Sequence, residues 1–134
     1  MKKINYNKLN PKQQESYNFQ KVSSVLADYG FTTIKLSDDW QGADFIAQNI
    51  DGNTFLKIQL KGRLTLSKKY LNKDLYICFP YKDNWYLFPH DIVVNQLSSI
   101  LENYQNTKSW KVDGLYSINT LSRKILDCMQ EYIL

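Results

Sequence analysis

Gly42-Ala43-Asp44-Phe45-Ile46-Ala47-Gln48-Asn49-Ile50-Asp51-Gly52-Asn53-Thr54-Phe55-Leu56-Lys57-Ile58-Gln59-Leu60-Lys61 is the stretch that decides the fold. Asp51-Gly52 is a hairpin-turn signal between two runs of strand formers. Read as a two-residue turn, it sets Ile50 against Asn53. Counting outward by pairs then sets Asp44 against Gln59. Cross-strand partners share a face of the sheet, and so do residues two apart on one strand. Asp44, Gln59 and Lys61 are therefore expected to project together. On the opposite face Phe45 and Ala47 meet Ile58 and Leu56, with Leu60 beside them, and all five are apolar. A face of that kind belongs on a core, which leaves the polar trio at the rim of a packed sheet.

The rest of the chain extends this hairpin into an α/β pattern. Asn10-Pro11 supplies an N-cap and a first-turn proline. Phe19, Val22, Val25, Leu26 and Tyr29 follow at helical spacing, and Gly30 closes the helix. Glu15 lies on the same stripe and is expected to extend it. Phe31–Leu36 reads as a strand, and residues 37–42 as a polar connection. The hairpin itself is expected over about residues 43–50 and 54–61, with its second strand running on through Arg63, Leu64 and Leu66. Leu75–Phe79 reads as an inner strand and Trp85–Phe88 as its partner, stopped by Pro89. A helix starting at Asp91 or a neighbour is expected to reach about Tyr104, with Ile92, Val93, Leu97, Ile100 and Leu101 inward. After a polar loop, Leu115–Ile118 reads as a last short strand, and Asn119 as the cap of a final helix. No linker interrupts this order, so residues 1–134 are read as one domain, with 1–10 as a flexible basic arm.

Composition narrows the function classes. The chain has 134 residues, 43% hydrophobic and 22% charged, enough to bury a core without staples. Its formal net charge is +4, compatible with a polyanionic partner. Cys78 and Cys128 have no ligand spacing and read as free thiols in a reducing compartment. With His90 as the single histidine, a zinc site is not expected. Neither a leader-type apolar segment nor a membrane span is visible, so a cytoplasmic location and no membrane partner are expected. Phosphate-loop and serine-nucleophile motifs are also missing.

Asp39 to Lys61 resembles the PD-(D/E)XK nuclease superfamily, whose pattern is an acid at the start of one strand and acid-x-Lys near the end of the next. Asp44 matches the first acid. Gln59-Leu60-Lys61 matches the second element, with Gln in the acidic position, a variant known among homing-endonuclease-like members. Glu15 falls where many members carry an extra helical acid. Trp85-Tyr86-Leu87-Phe88-Pro89 also resembles small members, and the likeness spans about residues 12–100. The resemblance implies a restriction-endonuclease-like three-layer sandwich, a central mixed sheet of about four or five strands flanked by helices. It implies a metal-dependent endonuclease that hydrolyses DNA phosphodiester bonds in restriction, mobile-element or repair work.

The residue types suit that chemistry. Magnesium, or manganese in its place, takes hard oxygen ligands and keeps several waters. Asp44 offers a carboxylate, Gln59 an amide oxygen, Leu60 a backbone carbonyl and Glu15 a second carboxylate. Lys61 would orient the attacking water. Arg63, Lys57, Lys68, Lys69 and Lys73 crowd the hairpin and the loop after it, where they could contact phosphates. Cutting both strands of a duplex with so small a chain implies a symmetric dimer or higher homo-oligomer.

A plainer reading accounts for the same residues. Asp44 then caps a turn, Gln59 and Lys61 line a solvated strand, Glu15 answers the helix dipole and the lysines keep the surface soluble. Trp40 and Tyr70 are stacking platforms on one reading and packing residues on the other. The matching functional alternative is a catalytically inactive module on the same fold that binds nucleic acid or protein. The charge removed by Gln59 is its motive.

Overall fold

The computed structural model describes residues 1–101 and 104–134. Helix α1 spans Pro11–Ala27. Asn10 and Gln13 close its N-terminus reciprocally: Asn10 Oδ1 accepts the Gln13 N–H at 2.9 Å and Gln13 Oε1 accepts the Asn10 N–H at 3.0 Å. Strands β1 (Phe31–Trp40), β2 (Ala43–Asn49), β3 (Phe55–Leu60), β4 (Leu64–Ser67), β5 (Leu75–Tyr81) and β6 (Asn84–Pro89) follow. Then come α2 (His90–Ile100), β7 (Leu115–Ile118) and α3 (Arg123–Met129).

Five strands form one mixed sheet in the order β1-β2-β3-β5-β6. Neighbours are antiparallel except β3 and β5, which run parallel and need a crossover. That crossover contains β4, which pairs with β7 in a second, two-stranded sheet. Helix α1 covers one face of the large sheet: Val22 and Leu26 pack with Phe45, Ala47, Ile58 and Cys78. Helices α2 and α3 and the small sheet cover the other, around Ile77, Phe79, Phe88, Val93, Leu97, Ile125 and Met129. The expected sheet flanked by helices is present.

The β2–β3 register is the expected one: Phe45 pairs with Ile58 and Ala47 with Leu56. The turn differs. Residues 50–53 form a four-residue connection, closed by the Asn49 N–H on the Thr54 carbonyl at 2.9 Å. Asp51 holds it through the N–H groups of Asn53 and Thr54, at 2.7 and 2.8 Å. Two and four residues are both even numbers centred on the same point, so the pairing survives the correction. A two-residue turn lies instead at Gln41-Gly42, where φ is +55° and +86° and Trp40 pairs with Ala43. Residues 37–40, read as a connection, are therefore an extension of β1.

Five other expectations shift. β3 stops at Leu60, and Leu64–Ser67 turns away into the small sheet. Helix α2 starts at His90, beside Asp91 as expected, but ends at Ile100; Ile92 faces solvent and Val94 takes its place inside. The cap of α3 is Ser122, whose Oγ accepts the Ile125 N–H, not Asn119. Within the loop before β7, Trp110 is buried. In the stretch 1–10, Tyr6–Lys8 makes a 3-10 turn against α1, with Tyr6 Oη accepting from Asn18 Nδ2 at 2.8 Å.

Candidate active site

Asp44 and Gln59 meet where β2 and β3 lie side by side. Gln59 Nε2 donates to Asp44 Oδ2 at 2.7 Å, and the Leu60 N–H donates to the same oxygen at 2.8 Å. The contact follows from the register, because the pair continues the ladder one step beyond Phe45 and Ile58. Gln59 is 9% exposed and Asp44 is half-buried. Among the described residues no donor approaches Asp44 Oδ1, and no buried side-chain oxygen or nitrogen lacks a partner. Oδ1 therefore opens to solvent, a free carboxylate oxygen beside a satisfied one.

Burial raises the Asp44 pKa above its usual value. The Leu60 N–H opposes that shift, Glu15 reinforces it, Lys61 opposes it and Asp39 adds to it. These causes also locate the groups: Glu15, Lys61 and Asp39 all stand close enough to Asp44 for their charges to act on it. Glu15 is exposed and does not extend the buried stripe of α1. It lines a groove of about 200 Å³ with Gln14, Asn18, Leu60, Lys61 and Gly62. The structure thus brings Asp44, Gln59, Leu60, Lys61 and Glu15 to one place.

Lys61 follows β3 and its N–H donates to the Cys78 carbonyl at 2.8 Å. Its ammonium lies 5.5 Å from the centre of the Tyr70 ring, within cation–π range. Of the two readings of Tyr70, stacking platform or packing residue, its burial favours packing. It is 2% exposed and packs against Gly42, where a Cβ would come within 3.1 Å of Tyr70 Cδ1. The turn thus needs glycine for its positive φ and for its closeness to the ring. Its sequence signal is an aromatic residue that ends the basic run Lys68-Lys69-Tyr70.

The five basic residues fall in different surroundings. Lys57 donates to the Lys73 carbonyl and lies 5.8 Å from the centre of the exposed Trp40 ring. Lys69 lies 5.0 Å from the Tyr70 ring centre, and Lys68 5.6 Å from that of Trp110. Arg63 donates to Asn119 Oδ1 and shares a second groove with Lys61, Gly62, Thr65 and Ser117. His90 is fully enclosed, with Nε2 accepting the Ser67 N–H at 3.1 Å and Nδ1 donating to Asp91 Oδ1 at 3.0 Å. Its place is structural: it ties α2 to the end of β4.

Among the described residues no three His, Cys, Asp or Glu side chains cluster as a metal site. The oxygen-bearing set here is two carboxylates, an amide and a backbone carbonyl. Those are hard donors of the kind magnesium accepts, fewer in charge than a three-acid site. Cys78 and Cys128 are free thiols, and burial pushes the Cys78 pKa up, away from reactivity. Among the described residues no helix is long and apolar enough to cross a membrane.

No protein-family model matches the chain, and no curated protein does. Solved structures do resemble it. The bacterial homing endonuclease I-Ssp6803I matches with a TM-score of 0.52 at 13% identity, over 92% of this chain and 86% of its own. Hjc, a Holliday junction resolvase from Archaeoglobus fulgidus, matches with a TM-score of 0.46 at 20% identity, over 57% of this chain and 73% of its own. The first likeness shows the fold: a central mixed sheet between helices, shared with that structure.

Proposed function

We propose that the chain is a metal-dependent endonuclease that hydrolyses phosphodiester bonds in DNA. The observation that carries this reading is the convergence of Asp44, Gln59, Lys61 and Glu15 at one end of β2 and β3. A solvated strand face does not require a half-buried carboxylate whose second oxygen is left open. The shared fold with a homing endonuclease supports the same reading.

On this proposal Asp44, Gln59 and the Leu60 carbonyl would hold magnesium or manganese, with Glu15 as a further carboxylate. The bound ion would neutralise phosphate charge and lower the pKa of an attacking water. Asp44 is kept in place by two donors on Oδ2, so its other oxygen is presented without rearrangement. Lys61 holds the water and the non-bridging oxygens by hydrogen bonds from its ammonium, steadied by the Tyr70 ring. The Gln59 amide replaces a charge, so the site relies on Glu15 and on the substrate phosphate for the balance. Arg63, Lys57, Lys68, Lys69 and Lys73 contact the DNA backbone, and two copies of the chain act on the two strands.

The test is cleavage of plasmid and oligonucleotide DNA with magnesium or manganese. Wild type cuts, while Asp44→Ala and Lys61→Ala each lose at least a hundredfold, the scale of a lost water-positioning or acid–base group. If both variants retain wild-type cleavage, the reaction centre is elsewhere.

A further inference from the structure

We propose that Gly62 is the crossing over which one DNA strand leaves the Asp44–Lys61 site, and that Arg63 and Ser117 hold its next phosphate in the groove along β4 and β7. This rests on the phosphodiester reading of the site and extends it to a strand path that reading does not fix.

Neither backbone nor packing requires a glycine at position 62. Its φ lies outside the left-handed region, and a Cβ there would meet nothing within 4 Å. A glycine of that kind suits the close approach of a ligand's backbone. Gly62 is exposed, and three grooves reach it. The first, of about 200 Å³, holds Glu15 and Lys61. The second, of about 390 Å³, runs past Arg63 to Thr65 and Ser117. The third, of about 580 Å³, is lined by Lys21 but also by Asp83. Among the described residues no carboxylate lines the second groove, and Lys61 belongs to both it and the first. A polyanion leaving Lys61 is therefore drawn along β4 and β7 rather than toward Asp83.

The register of the small sheet builds this groove. Thr65 pairs with Ser117, while Leu64 and Leu66 point the opposite way into the core. One step further along the ladder, Arg63 Nη1 donates to Asn119 Oδ1. That bond uses one of the five guanidinium N–H donors and orients the others. Among the described residues Arg63 makes no ion pair, so its charge is left for a ligand. Thr65 donates its hydroxyl proton to the Arg63 carbonyl at 3.0 Å, which leaves Ser117, 3.0 Å from Thr65, as the donor of that pair. The Ser117 proton can turn from Thr65 to a phosphate oxygen, a stronger acceptor because it is charged. Arg63 and Ser117 are diagonal neighbours on one face, within reach of a single phosphate. Lys61 and Arg63 are two residues apart, at most about 7 Å along the chain, a spacing that adjacent phosphates of one strand can match.

The experiment is anisotropy of fluorescently labelled single-stranded and duplex DNA oligonucleotides with EDTA present, so that cleavage is irrelevant. Gly62→Leu fills the crossing and is expected to weaken binding roughly tenfold or more, the scale of a contact pushed apart. Gly62→Ala is expected to weaken it about two- to threefold. Melting curves no lower than wild type check that both fold, as the ordinary φ and the open space allow. Arg63→Gln is expected to lower the salt slope by about one. Gly62→Leu with Arg63→Gln is expected to lose little more than Gly62→Leu alone, because a blocked strand does not reach Arg63. The path is overturned if folded Gly62→Leu binds like wild type, if the two losses multiply, or if wild type binds no DNA. Should Gly62→Leu not fold, wild-type affinity in Gly62→Ala with a wild-type salt slope in Arg63→Gln overturns it equally. If DNA is never cut but these binding losses appear, the path stands and the nuclease reading falls. If cutting requires Asp44 and metal while Gly62→Leu and Arg63→Gln bind normally, the path falls alone.

Discussion

Gln59 presents its amide nitrogen, not its oxygen, to Asp44: Nε2 lies 2.7 Å from Oδ2, and the Leu60 N–H shares that oxygen at 2.8 Å. A second acid in place of Gln59 would repel Asp44 at that distance, whereas the amide is a donor that holds it. The site is therefore self-supporting before any cation is bound, at the cost of one ligand charge.

That relationship predicts the behaviour of Gln59→Glu. Two carboxylates in contact would share a proton or separate. The variant should melt below wild type at neutral pH in EDTA. Added manganese should raise its melting temperature more than it raises that of wild type, because the ion neutralises the added charge. Thermal melts with and without metal check this.

Asp44 carries the opposite stability signature from a paired surface acid. Its folded pKa is raised from 3.8, chiefly by burial, so over the interval above 3.8 the unfolded chain releases its proton first. Stability then falls as pH rises through that interval, and the cost persists at pH 7. Asp44→Asn keeps an oxygen for Gln59 and Leu60 and removes the charge. It should melt a few degrees higher than wild type at pH 7, with a smaller gap near pH 4, while losing cleavage.

His90 should make the fold acid-sensitive. Burial lowers its pKa from 6.5, so just below that value the unfolded chain binds the proton first. Stability then rises with pH through this interval and is lost as pH falls through it. Protonated Nε2 could no longer accept the Ser67 N–H. Denaturant melts between pH 5 and 7 should show this drop, made shallower by His90→Gln.

Gly42→Ala should be costly for two independent reasons. Its φ of +86° disfavours any L side chain, and the new methyl would meet Tyr70 Cδ1 at 3.1 Å. The backbone term alone is about 1–2 kcal/mol. Chemical denaturation should show at least that loss, and cleavage should fall with it because Tyr70 steadies Lys61. Gly52→Ala meets no atom within 4 Å, so only the backbone term applies.

The site was legible because strand register is a parity problem. Any even-length connection centred on Asp51-Gly52 sets Asp44 beside Gln59, and the apolar alternation of Phe45, Ala47, Leu56 and Ile58 fixes which face is buried. The extension of β1 over Ser37–Trp40 was not legible, since all four residues are exposed and none alternates. Leu64–Ser67 looked like more of β3 because a strand of the small sheet has the same composition; only its partner Leu115–Ile118, some fifty residues on, separates them. Glu15 fits the helical stripe by number yet faces solvent; the buried residues of α1 are Val22 and Leu26, in its C-terminal half. Tyr70 was ambiguous in the same way: an aromatic beside lysines suits a core and a site, and here it occupies the boundary of both.

The central claim is that Asp44 is a cation ligand. Calorimetric titration of manganese into wild type and into Asp44→Asn, both shown to be folded, tests it most directly. The account predicts saturable binding by wild type at one class of site and its loss in the variant. Equal heats from the two proteins, or no binding by wild type, would contradict it.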